Sequence, residues 1–436
     1  MTDKTDDPPT MGIWMTSALV VGTIIGAGIF MLPVSLAPLG RNVPIGWLIS
    51  GAGVMAIVFA LARLARLGGE GIQANVERQF GATAGFLVAW SFWVSNWSAQ
   101  ASVAVGAVSA LSFLDPSVFG SASIVPLAIA ALIAVTGINM AGIAAAGRFG
   151  VVTVAIKLIP LLGVIWLLAT SIGSGTPLVP FAPAPINFSN IAAATALTFF
   201  ALTGFEAATA PVGKVRDPAR TIPRALIGGT LLVVLLYLAA GTAIQRLLPA
   251  AAAAASPAPF ADVLSGVWGS GGASLAAICI AVAAIGCLNG LALGTGELGL
   301  AMGRRGDLPR AMAITRGGGT PVVAQAVGAL LTILLLLANS SSRTAALFTF
   351  VILLSTAAVV VVYAIGAAAA WTLTGAGGKA VIVAAIGFLA FAAYGVGLEA
   401  GGWSIALLAI GLAVRALMHR ASRTAGPQAE LPESTA

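Results

Sequence analysis

The sequence predicts an all-α membrane protein that crosses the bilayer twelve times. Three observations predict it: too little charge for a water-facing surface, apolar stretches of spanning length, and basic residues that alternate between loops. Of 436 residues 59% are hydrophobic and only 8% charged, where a soluble domain carries roughly a quarter. The 53 glycines suit helices that approach closely, since lipid supplies no hydrophobic drive between them.

A span needs about 20 mainly apolar residues. Such stretches fall at 11–36, 44–64, 82–112, 122–141, 150–172, 190–212, 224–247, 271–302, 322–339, 345–371, 379–397 and 401–418. Placing both ends and every second loop in the cytoplasm puts 17 of the 21 lysines and arginines inside. That bias follows the positive-inside rule, and a missed span would scramble it. The net charge of +7 therefore reads as topology signal in short clusters, and no nucleic-acid partner is expected. Residues 1–10 are acidic and lack a basic n-region, so they are expected to be a cytoplasmic segment and not a signal peptide. The polar tail, 422–436, is expected to be disordered. Cys279 and Cys287 lie eight residues apart on one helix, about 12 Å and too far to bridge.

Two spans are interrupted. The first carries Gly22-Thr23-Ile24-Ile25-Gly26-Ala27-Gly28-Ile29-Phe30 and the sixth Thr203-Gly204-Phe205-Glu206, each near its middle. Each glycine weakens a helix by about 1 kcal/mol relative to alanine. Unwound backbone at membrane depth must be buried in protein or line a cavity. Interruptions in corresponding spans of two halves point to the substrate site of an inverted-repeat transporter. Amides at a half-helix N-terminus attract an anion and freed carbonyls accept from a cation. Such a site holds a carboxylate and an ammonium together, as in an α-amino acid.

Three ionisable groups lie inside spans: Lys157, Glu206 and Glu297. Each is costly unless paired or hydrated, so each is a functional candidate, and Lys157 and Glu297 are expected to pair. In the third span Ser91, Ser95, Ser98 and Ser102 form a stripe at helical spacing, with Asn96 and Gln100 alongside. The serines suit interhelical hydrogen bonds, and Asn96 suits a cavity wall. One histidine, with no H-E-x-x-H or G-x-S-x-G motif, leaves little catalytic equipment. No enzyme activity, cofactor or metal is expected, and no filter-like repeat suggests a channel.

These stretches resemble the amino acid–polyamine–organocation superfamily of secondary transporters, from about Gly12 to Arg420. The first interruption is similar to its G-x-I-[IM]-G-[AS]-G-[IV]-F signature, and the sixth-span segment matches as well. So does Asp217-Pro218-Ala219-Arg220-Thr221-Ile222-Pro223-Arg224 in the following loop. Within the superfamily the likeness is greatest to the arginine/agmatine branch of the basic amino acid and polyamine antiporters. Ser256-Pro257-Ala258-Pro259-Phe260, Gly286-Cys287-Leu288 and Gly319-Thr320-Pro321 carry that placement.

The resemblance implies the leucine-transporter fold: inverted repeats at 11–172 and 190–371, followed by two extra helices at 379–418. It implies alternating access around a central amino-acid site in the inner membrane, with both termini cytoplasmic. Thr23, Gly26, Ala27 and Gly28 would cradle the carboxylate, and carbonyls near Ile24 and from Phe200 through Thr203 to Gly204 would hold the ammonium. Phe92, Ser95, Asn96, Gln100, Gly294 and Ser355 would line the side-chain pocket, under Phe200 as an aromatic lid. Glu206 matches a gate carboxylate and Tyr363 its tyrosine partner. Gly294 stands where the branch has a tryptophan, Phe92 where it has a tyrosine, Phe200 where it has a tryptophan and Gln100 where it has an asparagine. The lost cation–π faces remove roughly 0.5–2 kcal/mol of affinity for a guanidinium. Lys157 also departs from the branch, but other proton-coupled permeases of the superfamily carry a lysine there in place of a sodium ion. The expected function is an amino-acid permease working by proton symport or exchange. Arginine/agmatine or polyamine exchange is the alternative, and a nutrient sensor on the same fold is a third reading. The branch dimerises through its last helices, which leaves a homodimer open.

Overall fold

The computed structural model describes residues 11–26, 28–67, 71–120, 122–141, 146–206, 215–317, 319–340 and 344–424. Among them the chain is helical, without a strand; two isolated bridges join Met11 to Val215 and Arg316 to Thr320. Eight helical segments are long and apolar enough to cross a membrane, and three shorter apolar helices accompany them. Helices overlap each segment where a span was expected.

The first span is two helices, α1 (Ile13–Ile24) and α2 (Gly28–Leu36), parted at the glycines. α3 (Asn42–Leu64) and the short polar α4 (Gly71–Phe80) follow. α5 (Ala82–Leu111) is 30 residues long, yet its Ser-Asn-Gln stripe keeps it out of the apolar set. It is buried along nearly its whole length and packs on several other helices, so the stripe faces protein. A one-turn helix, α6 (Pro116–Phe119), capped by Asp115, leads to α7 (Ile124–Met140) and α8 (Ala146–Gly173). α9 (Phe188–Ala201) stops short of the expected sixth span, 190–212; residues 207–212 lie outside the described residues.

α10 (Pro218–Leu247) starts earlier than the expected 224 because Pro218 sits in its first turn, where a missing N–H costs nothing. After α11 (Ala250–Ala255), α12 (Pro259–Arg304) begins twelve residues before the expected 271. Gly269, with φ +66°, bends it, so its first ten residues form a separate arm. That arm sets Phe260 edge-on against Phe30 of α2, ring centres 5.1 Å apart. α13 (Val322–Ala338), α14 (Thr344–Trp371), α15 (Ala376–Val396) and α16 (Leu398–Thr424) complete the chain. Gly397, with φ +83°, separates the last two. α16 extends past the expected end at 418 and takes up 422–424 of the polar tail. Residues 425–436, like 1–10, lie outside the described residues.

Packing is inside-out relative to a water-soluble protein. Leu231 and Leu235 of α10 and Ile405 and Leu417 of α16 point outward, as an apolar solvent allows. Polar contacts sit inside instead. Ser50 of α3 bonds Thr198 and the Thr195 carbonyl of α9, at 2.6 and 3.0 Å. Trp47 of α3 stacks edge-on against Tyr237 of α10. These contacts hold α3, α9 and α10 together around the two interrupted helices.

Candidate functional site

The two interruptions meet. At the end of α1 the Gly26 amide turns back to the Ile24 carbonyl, at 2.8 Å, and so abandons Gly22. Carbonyls at a helix end need partners from elsewhere. The Gly22 carbonyl accepts from the Lys157 ammonium of α8 at 3.0 Å. The Ile24 carbonyl also accepts from the Tyr237 hydroxyl of α10 at 3.2 Å. Between them, the Thr23 carbonyl lies against Gly204 of the second break, where a Cβ would stand only 2.8 Å from it. Gly204 has φ +106°, which glycine alone adopts without strain. Backbone therefore touches backbone where the interrupted helices cross.

The second break is tied to α14. α9 closes with Leu202 and Thr203 amides bonded to Phe199 and Phe200 carbonyls. Glu206 then folds back, accepting from the Gly204 amide at 3.1 Å and the Tyr363 hydroxyl of α14 at 2.6 Å. The Phe205 ring stacks on Tyr363. Glu206 and Tyr363 are both buried. Replacing Tyr363 with phenylalanine is expected to leave the buried Glu206 carboxyl without this partner, at a cost of about 1–3 kcal/mol. Thermal unfolding in detergent reads this as a lowered midpoint; an unchanged midpoint shows the contact to be energetically idle.

Around the crossing, the Phe200 ring lies on Gly28, where a Cβ would meet its edge at 2.9 Å. Ser95 of α5 and Ser355 of α14 share hydroxyls at 2.8 Å, and Ser355 also donates to the Ser95 carbonyl. The Gln100 amide donates to the Thr295 hydroxyl of α12 at 2.7 Å. Asn96 faces Gly294 across the same helix pair, its amide nitrogen 3.2 Å from where a Cβ would stand. Phe92 is half-buried against the main core.

Residues 11–398 match the family described as amino acid permease. The chain belongs to that family. The permease is a membrane transporter and not an enzyme. It is 28% identical over 324 residues to a cadaverine/lysine antiporter of Escherichia coli K12, covering 71% of this chain and 70% of that protein. It is 29% identical over 259 residues to the putrescine transporter PotE of the same strain, covering 57% and 58%. A putative arginine/ornithine antiporter of Bacillus subtilis is 27% identical over 349 residues, covering 72% and 73%. These relatives place the permease in the basic amino acid and polyamine antiporter branch, as its motifs implied.

Most of the expected site residues of the permease stand together in pairs: Thr23 with Gly204, Gly28 with Phe200, Ser95 with Ser355, Asn96 with Gly294, Glu206 with Tyr363. Ala27 lies outside the described residues. The Thr23 hydroxyl turns back onto the Leu19 and Val20 carbonyls of its own helix, at 2.9 and 3.0 Å, and Thr203 does the same to Phe200. The expected pair of Lys157 and Glu297 is not formed. Lys157 is 5% exposed and held at Gly22, whereas Glu297 is exposed. Cys287 is the α12 side chain within electrostatic reach of Lys157, and Glu297 stands ten residues on, about 15 Å along the helix.

Two residues at the permease's first break escaped the sequence reading. Tyr237 caps the Ile24 carbonyl, and Cys287 approaches Gly26, whose Cβ would lie 2.9 Å from its sulfur. The single tyrosine of the seventh span was the available signal for the first. Cys287 carried none beyond its neighbourhood in the Gly286-Cys287-Leu288 stretch.

Proposed function

We propose that the permease moves an α-amino acid across the inner membrane by alternating access, with the crossing of its two interrupted helices as the substrate site. The observation that carries this is the contact of Gly204 with the Thr23 carbonyl. Together with the Phe200 ring lying on Gly28, it supports a site between the N-terminus of α2 and the C-terminus of α9. First-turn amides of α2 suit the carboxylate, and carbonyls at the end of α9 suit the ammonium. Exchange is the favoured mode because two of the relatives are named antiporters.

In this reading the chain crosses the membrane twelve times as two five-helix inverted repeats and a final pair. Both termini face the cytoplasm, in keeping with the placement of the basic residues. Glu206 and Tyr363 form a latch on the cytoplasmic side of the site, and Lys157 links proton movement to α1.

The test is reconstitution into liposomes with labelled amino acids and amines, with and without internal counter-substrate and a pH gradient. Internal substrate is expected to accelerate uptake at least tenfold. Failure to take up any of the panel under every condition overturns the reading.

A further inference from the structure

Away from the helix crossing, the last helix meets α5 in a way that leaves a charged cleft. The two pack tightly at one level. The Trp90 indole of α5 donates to the Leu407 carbonyl of α16 at 2.9 Å, and at Gly411 a Cβ would overlap the same ring. Past Gly411 the helices part, and a cleft of about 470 Å³ opens between the start of α5 and the end of α16. Thr83, Leu412, Arg415, Ala416, His419 and Arg420 line it.

Arg415 is built into that cleft. Its Nε donates to the Asp307 carboxylate at 2.7 Å, its Nη1 donates to the Thr83 hydroxyl at 2.8 Å, and its guanidinium lies over the Phe86 ring, 5.1 Å from the centre. The side chain is only 13% exposed. A basic residue that merely marked topology would extend to water; this one is held on three sides. A guanidinium carries five N–H donors, and the Nη2 pair makes no hydrogen bond among the described residues. The Thr83 hydroxyl, having accepted from Arg415, still has its own proton to donate.

The carboxylates nearby are already matched. Asp307 accepts from Arg415 and lies 3.3 Å from the His419 ring nitrogen. Glu77, which abuts Gly85 in the first turn of α5, is paired with Arg305. Arg420 is exposed on the rim. Among these groups three arginines stand against two carboxylates, and His419 adds a further positive charge when protonated. A group with acceptor oxygens and negative charge suits such a set, and the planar fork of arginine matches phosphate.

The course of α16 indicates where that phosphate comes from. Leu412, Arg415, Ala416 and His419 share one stripe at helical spacing. The stripe runs from Leu412, 40% exposed, towards Arg420, about 12 Å further along the axis. Ile410 and Leu417 beside it are exposed as well. An apolar wall giving way to basic groups over that distance follows the edge of a bilayer, from acyl chain to headgroup. A soluble anion would leave the apolar end empty.

We propose that the cleft between α5 and α16 binds the phosphate of an anionic phospholipid. Arg415 and Thr83 donate to it, His419 and Arg420 form its rim, and an acyl chain lies along Leu412. The lipid thereby fastens α16 to the start of α5. The inference is independent of the reading of the helix crossing as the substrate site.

The test is native mass spectrometry of the protein in detergent, titrated with phosphatidylglycerol, phosphatidylcholine or inorganic phosphate. One copy of phosphatidylglycerol is expected to bind at least tenfold more tightly than phosphatidylcholine, and a large excess of inorganic phosphate is expected to leave it in place. Arg420→Gln is expected to weaken it at least fivefold. Arg220→Gln removes the same charge from a loop outside the cleft and is expected to stay within twofold. Arg415→Gln is expected to lose at least tenfold; because it strips Asp307 of its partner, Arg420→Gln decides if that variant does not fold. Equal affinity for the two lipids overturns the proposal, as does displacement by phosphate or an equal loss in Arg420→Gln and Arg220→Gln. A lipid-free dimer that refuses phosphatidylglycerol also overturns it, since a second copy of the chain would then fill the cleft.

Discussion

Alanine at position 204 is expected to reduce transport at least a hundredfold without preventing membrane insertion. Two costs coincide there. The backbone at φ +106° is a region that residues with a Cβ occupy only under strain, about 1–3 kcal/mol. The new methyl would also stand 2.8 Å from the Thr23 carbonyl oxygen, and both sides of that contact are backbone, which cannot rotate away. A combined penalty of about 3 kcal/mol on the crossed arrangement corresponds to roughly a hundredfold. Gly28→Ala makes a useful contrast. Its Cβ would meet the edge of the Phe200 ring at 2.9 Å, a side chain that can tilt, so a smaller loss of about tenfold is expected. Initial rates of counter-substrate exchange, normalised to protein inserted in the liposomes, compare the two. Gly204→Ala within threefold of wild type, or milder than Gly28→Ala, sinks the claim that the crossing is the working site.

The helices were legible because lipid imposes a simple rule, a run of apolar residues long enough to span, and because basic loops alternate. Legibility failed where tertiary contacts override that rule. α12 begins at Pro259 because a left-handed glycine lets a short arm fold onto α2, and nothing in its hydropathy marks the bend. The breaks in spans one and six were visible as glycine clusters, but their mutual contact was not, since a backbone-to-backbone approach leaves no side-chain signature. Polar stripes showed that α5 faces protein. They did not show that Ser95 would choose Ser355 while Asn96 would be left facing Gly294. The Lys157–Glu297 pairing failed on helix arithmetic: both lie in spans, but the level of α12 beside Lys157 is Cys287, ten residues earlier.

Removing the Lys157 side chain is expected to separate coupling from exchange. Lys157 is 5% exposed, and its ammonium is held to the Gly22 carbonyl at 3.0 Å. The Cys287 thiol lies within electrostatic reach of it, and the Tyr237 hydroxyl bonds the next orphan carbonyl of α1, at Ile24. Among the described residues it makes no ion pair with a carboxylate. A charged donor bonds a carbonyl roughly twice as strongly as a neutral one. A proton gained or lost here therefore changes how firmly α8 grips the end of α1. Because α1 ends at the crossing, that grip connects protonation to the substrate site. Lys157→Ala should thus lose at least tenfold of uptake driven by a pH gradient, while exchange at equal pH stays within about threefold of wild type. Parallel loss of both activities makes Lys157 a support for the break and nothing more, and full retention of gradient-driven uptake removes it from coupling altogether. Lys157→Arg sharpens the distinction: a guanidinium stays protonated at every accessible pH. It can hold a carbonyl at the end of α1 yet cannot cycle its proton, so exchange should survive and coupling should not.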